Sequence, residues 1–180
     1  MFRFKTQGHE WTQASSLHDG ESFFVKLWID ADACPTLIKD VLFRTANRLE
    51  LETCLVANQS IRIPDSKYIT SITVRDGADV ADGKIVELLQ AKDIVITADI
   101  PLAARVVEKD AIAISPRGER FDAATIQSRL ASRNLMEHLR SAGMETKGPK
   151  PFSQKDVQNF CNVLDRTITQ LLKAERNGTG

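Results

Sequence analysis

The chain lacks any apolar run longer than a strand, so nothing in it approaches the ~20 apolar residues of a membrane-spanning helix, and its first residues carry no secretory apolar core. It also lacks C-x-x-C spacing and any histidine-partnered cysteine, which excludes the usual zinc and dithiol signatures. Its three cysteines, Cys34, Cys54 and Cys161, are odd in number and widely spaced, the pattern of free thiols in a reducing cytoplasm. An excess of one charge is missing too: Lys plus Arg and Asp plus Glu each total 24, so no overall field pulls the protein toward nucleic acid or an anionic membrane. That balance still permits a local basic groove. What the 180 residues offer is one domain, large enough to bury roughly 70% of the surface its unfolded chain exposes. The expectation is a soluble, cytoplasmic protein with no membrane partner.

Residues 1–24, with His9, Trp11 and His18, show neither helical nor strand periodicity and read as a loosely ordered N-terminal extension. The folded pattern begins at Val25, and a valine codon can initiate translation. That makes Val25 an alternative start, which an N-terminal sequence of native protein beginning at Met1 would rule out. Residues 25–29 form an apolar run ending in Asp30 and Asp32, and Pro35 opens a helix with Leu37, Ile38, Val41, Leu42, Ala46 and Leu49 on one stripe. Further strands are expected at residues 51–57, 69–74, 93–98 and 111–115, the third alternating as an edge strand does, with helices between. Such alternation means right-handed crossovers and a three-layer, doubly wound parallel α/β sheet of about five strands in the order 3-2-1-4-5. A helix capped by Asp122 should run to Arg140, residues 143–151 read as a linker, and Ser153 with Asp156 forms a capping box for a last helix through Leu172. One domain thus covers residues 25–172, and residues 173–180 form a fraying tail.

The order 3-2-1-4-5 reverses between strands one and four, and ligands bind at such a point, outside the carboxyl ends of the strands. Asp30 and Asp32 follow strand one, Asp79 and Asp82 follow strand three, and Asp99 follows strand four. Singly, each has a bland explanation: Asp32, Asp79 and Asp99 stand where helix caps stand, and Asp30 could accept backbone hydrogen bonds. Jointly, five carboxylates in one crevice repel each other unless a cation neutralises them. Oxygen-only ligands without His or Cys suit Mg²⁺ or Mn²⁺, and the implied reaction is phosphodiester hydrolysis. Asp30, Asp82 and Asp99 are the catalytic candidates, and all five aspartates are metal candidates. Arg117, beside a permissive Gly118, could grip a phosphate or merely decorate a turn. Asn58 and Gln59, after strand two, could hydrogen-bond a sugar or base or simply form a turn. Cys34 reads as a packing thiol because no histidine lies near it in sequence.

The segments DADACP (residues 30–35), LVANQ (55–59), DVAD (79–82), VITADIPLA (95–103) and PRGER (116–120) resemble, in order, those of the bacterial YaiI/YqxD family of uncharacterised proteins. The resemblance spans residues 25–172; the usual family member starts near Val25. It implies a PIN-like fold, grouped with nucleases that cut RNA at an acidic Mg²⁺- or Mn²⁺-dependent site, with Asp30, Asp79 or Asp82, and Asp99 as the metal residues. Grouping by fold does not establish activity. Two alternatives stand beside a metal-dependent ribonuclease: a non-catalytic RNA- or nucleotide-binding module, and an Asp-x-Asp phosphatase using Asp30. The phosphatase pattern lacks its usual following threonine, having Cys34 there.

Overall fold

The central apolar runs become strands that are covered on both faces, which is why they read as unbroken hydrophobic stretches. A computed structural model of the protein describes residues 25–74, 77–143 and 150–178. The extension expected at residues 1–24 and most of the linker expected at 143–151 lie outside them. Strands β1 (Leu27–Asp30), β2 (Thr53–Ala57), β3 (Ile69–Thr73), β4 (Ile94–Ile96), β5 (Ile112–Ile114) and β6 (Arg120–Phe121) form one sheet in the order 3-2-1-4-5-6. All neighbouring pairs are parallel except β5 with β6. The expected doubly wound order therefore holds, with β3 the exposed edge. β6 is an addition that the five-strand expectation did not include.

Alternation along the strands assigns each helix its layer. Leu27, Ile29, Leu55, Ile94, Ile96 and Ile114 face α1 (Thr36–Leu49) and α5 (Gln154–Gly178), packing on Ile38, Leu42, Phe160, Leu164 and Ile168. Trp28, Cys54, Val56, Val95 and Ala113 face the opposite way, onto α2 (Ala78–Leu88), α3 (Ile100–Glu108) and α4 (Ile126–Ser141). The result is a three-layer α/β fold consistent with a PIN-like architecture. Trp28 is pinned in its layer by an indole N–H that donates to Asp93 at 2.9 Å. Asp93 is itself buried and also accepts from the amides of Lys26 and Gln90, so its charge is solvated by fixed donors.

Several helix ends differ from expectation. Pro35 is the N-cap of α1 rather than its first residue, which suits its extended ψ of 146°. Asp122 does not cap α4. Its carboxylate accepts from the amide and hydroxyl of Thr125, closing a turn ahead of the helix. The Ser153–Asp156 capping box is present, with Ser153 N–H donating to Asp156 at 2.7 Å and Asp156 N–H returning to the serine hydroxyl at 3.4 Å. Helical backbone continues to Gly178, beyond Leu172, where the apolar stripe ends.

β6 exists because Ser115-Pro-Arg-Gly-Glu119 is a hairpin turn. Ser115 O accepts from Gly118 N–H at 2.9 Å, Ser115 N–H donates to Glu119 O at 2.8 Å, and Gly118 takes the left-handed φ of 79° such a loop requires. Gly118 also abuts the backbone of α5: a Cβ there would stand 2.6 Å from both Asn159 C and Phe160 N. Gly118→Ala should therefore cost at least ~2 kcal/mol by combining strain with a backbone clash. Gly83→Ala, in open space on α2, should instead stabilise by about 0.5–1 kcal/mol. Denaturant unfolding of the two variants measures the difference; a neutral Gly118→Ala would mean that α5 does not seat on this turn.

Candidate functional site

Strand alternation that buries Trp28 under α2 and α3 turns Asp30, two residues on, toward the same layer. β1 pairs Ile29 with Ile96, so Asp30 stands beside Thr97 one step beyond β4. There the Thr97 hydroxyl donates to Asp30 Oδ2 at 2.7 Å and accepts from the Asp99 amide at 3.0 Å. Asp99 is the N-cap of α3, its side chain accepting from Leu102 N–H at 2.8 Å. The cap reading is thus correct for Asp99. It is not correct for Asp32, whose carboxylate accepts from the Asn58 amide at 2.9 Å, nor for Asp79, because Gly77 occupies the N-cap of α2 and Asp79 lies inside its first turn.

These groups meet. Asp30, Asp32, Asn58, Asp79, Asp82 and Asp99 line one open pocket of about 240 Å³ at the carboxyl edge of the sheet. All five aspartates singled out from sequence are there. Two other predicted residues are not. Gln59 is exposed on the bend after β2 and does not line the pocket. Arg117 points to α5 instead: its guanidinium donates to Asp156 at 2.9 Å and to the Lys150 carbonyl, and lies 5.5 Å from the Phe152 ring centroid. A Pro-Arg-Gly turn that must seat a helix has its arginine spent on that helix.

The electrostatics follow from crowding. Asp30 is only 6% exposed, and burial raises its pKa, opposed by the Thr97 and Ala33 hydrogen bonds and reinforced by Asp32 and Asp99. Asp82 is pushed up to about 6, first by burial and then by repulsion from Asp30 and Asp99, with Arg105 acting the other way. Cys34 is buried beside the pocket, and burial lifts its thiol to about 12, as befits a packing residue and not a nucleophile.

A cavity of similar size, about 260 Å³, lies at the other end of the strands between Trp28, Cys54, Tyr68 and Leu88. Its single carboxylate, Glu52, is already paired with Lys26, so the larger cavity has less of the chemistry.

Among the described residues, no three His, Cys, Asp or Glu side chains are drawn close enough to enclose a metal ion by themselves. The donor set fits a hard cation that keeps most of its water and touches one or two carboxylates, the habit of Mg²⁺. Asn58 adds to this, because its Oδ1 is buried in the pocket wall with no donor to it. Sequence reasoning missed Thr97, which joins Asp30 to Asp99. The signal was a polar residue closing the buried run of β4 in register with Asp30.

The profile of the family described as "Uncharacterized BCR, YaiI/YqxD family" matches residues 28–170. The chain is 53% identical over 146 residues to a UPF0178 protein of Herminiimonas arsenicoxydans, covering 81% of this chain and 98% of that one. It is 55% identical over 148 residues to a UPF0178 protein of Bordetella petrii, with 82% and 99% covered. A third, from Pectobacterium carotovorum, is 50% identical over 149 residues, with 83% and 99% covered. No solved structure is a significant match.

The raised carboxylates carry a pH signature. A folded-state pKa above the unfolded value of about 4 means the native protein holds extra protons between about pH 4 and pH 6, so stability from these groups is present at the acid end and lost as pH rises. Asp122 and Asp156 are shifted the opposite way, and their contribution changes only below about pH 4. Thermal unfolding should therefore show wild type losing stability as pH rises from about pH 4 through about pH 6, and Asp82→Asn losing visibly less. Identical profiles would mean that Asp82 is not held in this repulsive cluster.

Proposed function

The chain belongs to the YaiI/YqxD family, and from the chemistry of its acidic pocket we propose that it is a Mg²⁺- or Mn²⁺-dependent hydrolase of RNA phosphodiesters. One observation carries the reading. Five carboxylates from three chain segments line a single pocket in which no Lys or Arg takes part, and burial together with repulsion from their neighbours raises the proton affinity of Asp30 and Asp82. Such an arrangement is costly unless something positive shares it.

Asp30 and Asp99, joined through Thr97, would hold the cation, with Asp32, Asp79 and Asp82 acting on its water shell. The cation, once bound, would polarise a phosphoryl oxygen and ease deprotonation of water. The protein's own groups do the rest. Thr97 and the Ala33 amide fix Asp30, and the helix cap fixes Asp99, so neither carboxylate must reorganise when substrate arrives. Asp82, kept off the cation and with its pKa pushed up to about 6 first by burial, would accept a proton from attacking water at neutral pH. Asn58 lines the same pocket, where its side chain can hydrogen-bond a sugar or base of the substrate. Three unpaired thiols among the described residues favour a reducing cytoplasm as its place of work. The phosphatase alternative is less well supported, because Asp30 is buried with one oxygen committed to Thr97 and is poorly presented for nucleophilic attack.

The test is incubation of single-stranded RNA with Mn²⁺ and wild type, Asp30→Asn or Asp99→Asn. Both substitutions keep shape, and asparagine still caps a helix. Wild type should cleave, and each variant should be slower by about a hundredfold or more at a melting temperature no lower than that of wild type. Equal rates in all three proteins, or RNA bound but never cut with either metal, would overturn the hydrolase; the latter result would leave a binding module.

A further inference from the structure

The cavity at the amino ends of the strands has no part in the hydrolysis, and strand register is what builds it. Trp28, Cys54 and Thr70 are partners across β1, β2 and β3 and so share one face of the sheet, a large ring beside two small side chains. α2, which covers that face, stops at Leu88, and the chain then turns away through Gln90, whose amide donates to Asp93 at 3.0 Å. A hollow of about 260 Å³ is left beside the two small residues. We propose that this cavity is a binding site for a small aromatic anion, a one- or two-ring molecule carrying a carboxylate or a phosphate. The inference is independent of the hydrolase reading.

Size, walls and rim each restrict the occupant. The volume falls just under the ~300–1,000 Å³ of sites for drug-sized ligands, which leaves space for one or two rings. The walls suit a flat apolar body. Trp28 is only 5% exposed and its ring is held in place by the indole N–H bond to Asp93, while Tyr68 and Leu88 close the sides. Burial raises the pKa of Cys54, so its thiol stays protonated and brings no negative charge to the wall. The rim is positive, with Lys26 and Lys67 set against one carboxylate, Glu52. Glu52 meets Lys26 at 2.8 Å in an exposed pair, a kind that contributes little and yields readily to a competing anion. The Lys67 ammonium lies 4.7 Å from the Tyr68 ring centroid and joins no ion pair among the described residues. An anionic group at the mouth thus meets two ammoniums while its ring fills the hollow. The competing explanation is a packing gap that holds only water.

The experiment separates the two by following the Trp28 indole N–H in ¹H–¹⁵N NMR spectra of the full chain. The chain has two tryptophans, and Trp11→Phe assigns the signal. The probes are indole-3-acetate and adenosine 5′-monophosphate, their uncharged counterparts indole-3-acetamide and adenosine, and the ringless anions acetate and inorganic phosphate. At least one aromatic anion should shift the signal with a Kd of about 1 mM or tighter, and its uncharged counterpart should bind about tenfold more weakly. The ringless anions should leave the signal in place. Which aromatic anion binds distinguishes a carboxylate ligand from a nucleotide. Lys67→Gln should weaken binding about three- to fivefold. Thr70→Phe, which fills the hollow from an exposed strand position, should abolish binding without lowering the melting temperature. Lys155→Gln, on α5 in the opposite layer, should bind as wild type does. Silence from both aromatic anions, equal binding of charged and uncharged counterparts, a shift produced by acetate or phosphate alone, or wild-type binding by Thr70→Phe would each overturn the proposal.

Discussion

Asp30 holds a carboxylate where little water reaches it, and the hydroxyl of Thr97 is what makes that position tenable. A buried charge is costly unless donors replace its hydration, and here one donor comes from the neighbouring strand and another from the Ala33 amide. The same hydroxyl accepts from Asp99 N–H, so a single oxygen links the acid at the end of β1 to the acid that starts α3. Everything else at the edge is arranged around this pair. α2 and α3 direct their amino-terminal ends toward it, where the helix dipole favours negative charge. Asp79 sits in the first turn of α2, and Asp99 accepts from the first turn of α3.

Favourable dipoles do not remove the repulsion, and the shift of Asp82 measures what is left. The pocket is thus a place where stability has been given up to closely spaced like charges. The opposite layer supplies the compensation. α5 lies on the other face of the sheet with Phe160, Leu164 and Ile168 buried in one core, and the β5–β6 turn clasps its start through Arg117 and the close approach of Gly118. Rigid support on one side allows an open, electrostatically strained edge on the other.

How far this was legible depended on the range of the interaction. Strand identity and order followed from local patterns: continuous apolar runs for β1 and β2, alternation for β3, and helices of crossover length between. The convergence of Asp30, Asp79, Asp82 and Asp99 followed in turn, because a doubly wound sheet brings carboxyl ends together. Arg117 was misassigned because a Pro-Arg-Gly turn looks the same in sequence whether its arginine meets a phosphate or a helix. Thr97 escaped notice because its partner is 67 residues away and its role depends on the register of β1 with β4.

The sequence by itself determined the architecture and the list of acids, since hydrophobic period and the residues that end each element act within a few positions of one another. Tertiary structure alone decided which carboxylates cap a helix, which are crowded and that Arg117 is spent on α5. Those properties arise from burial and from distances between segments far apart in the chain, and both quantities exist only once the sheet has formed.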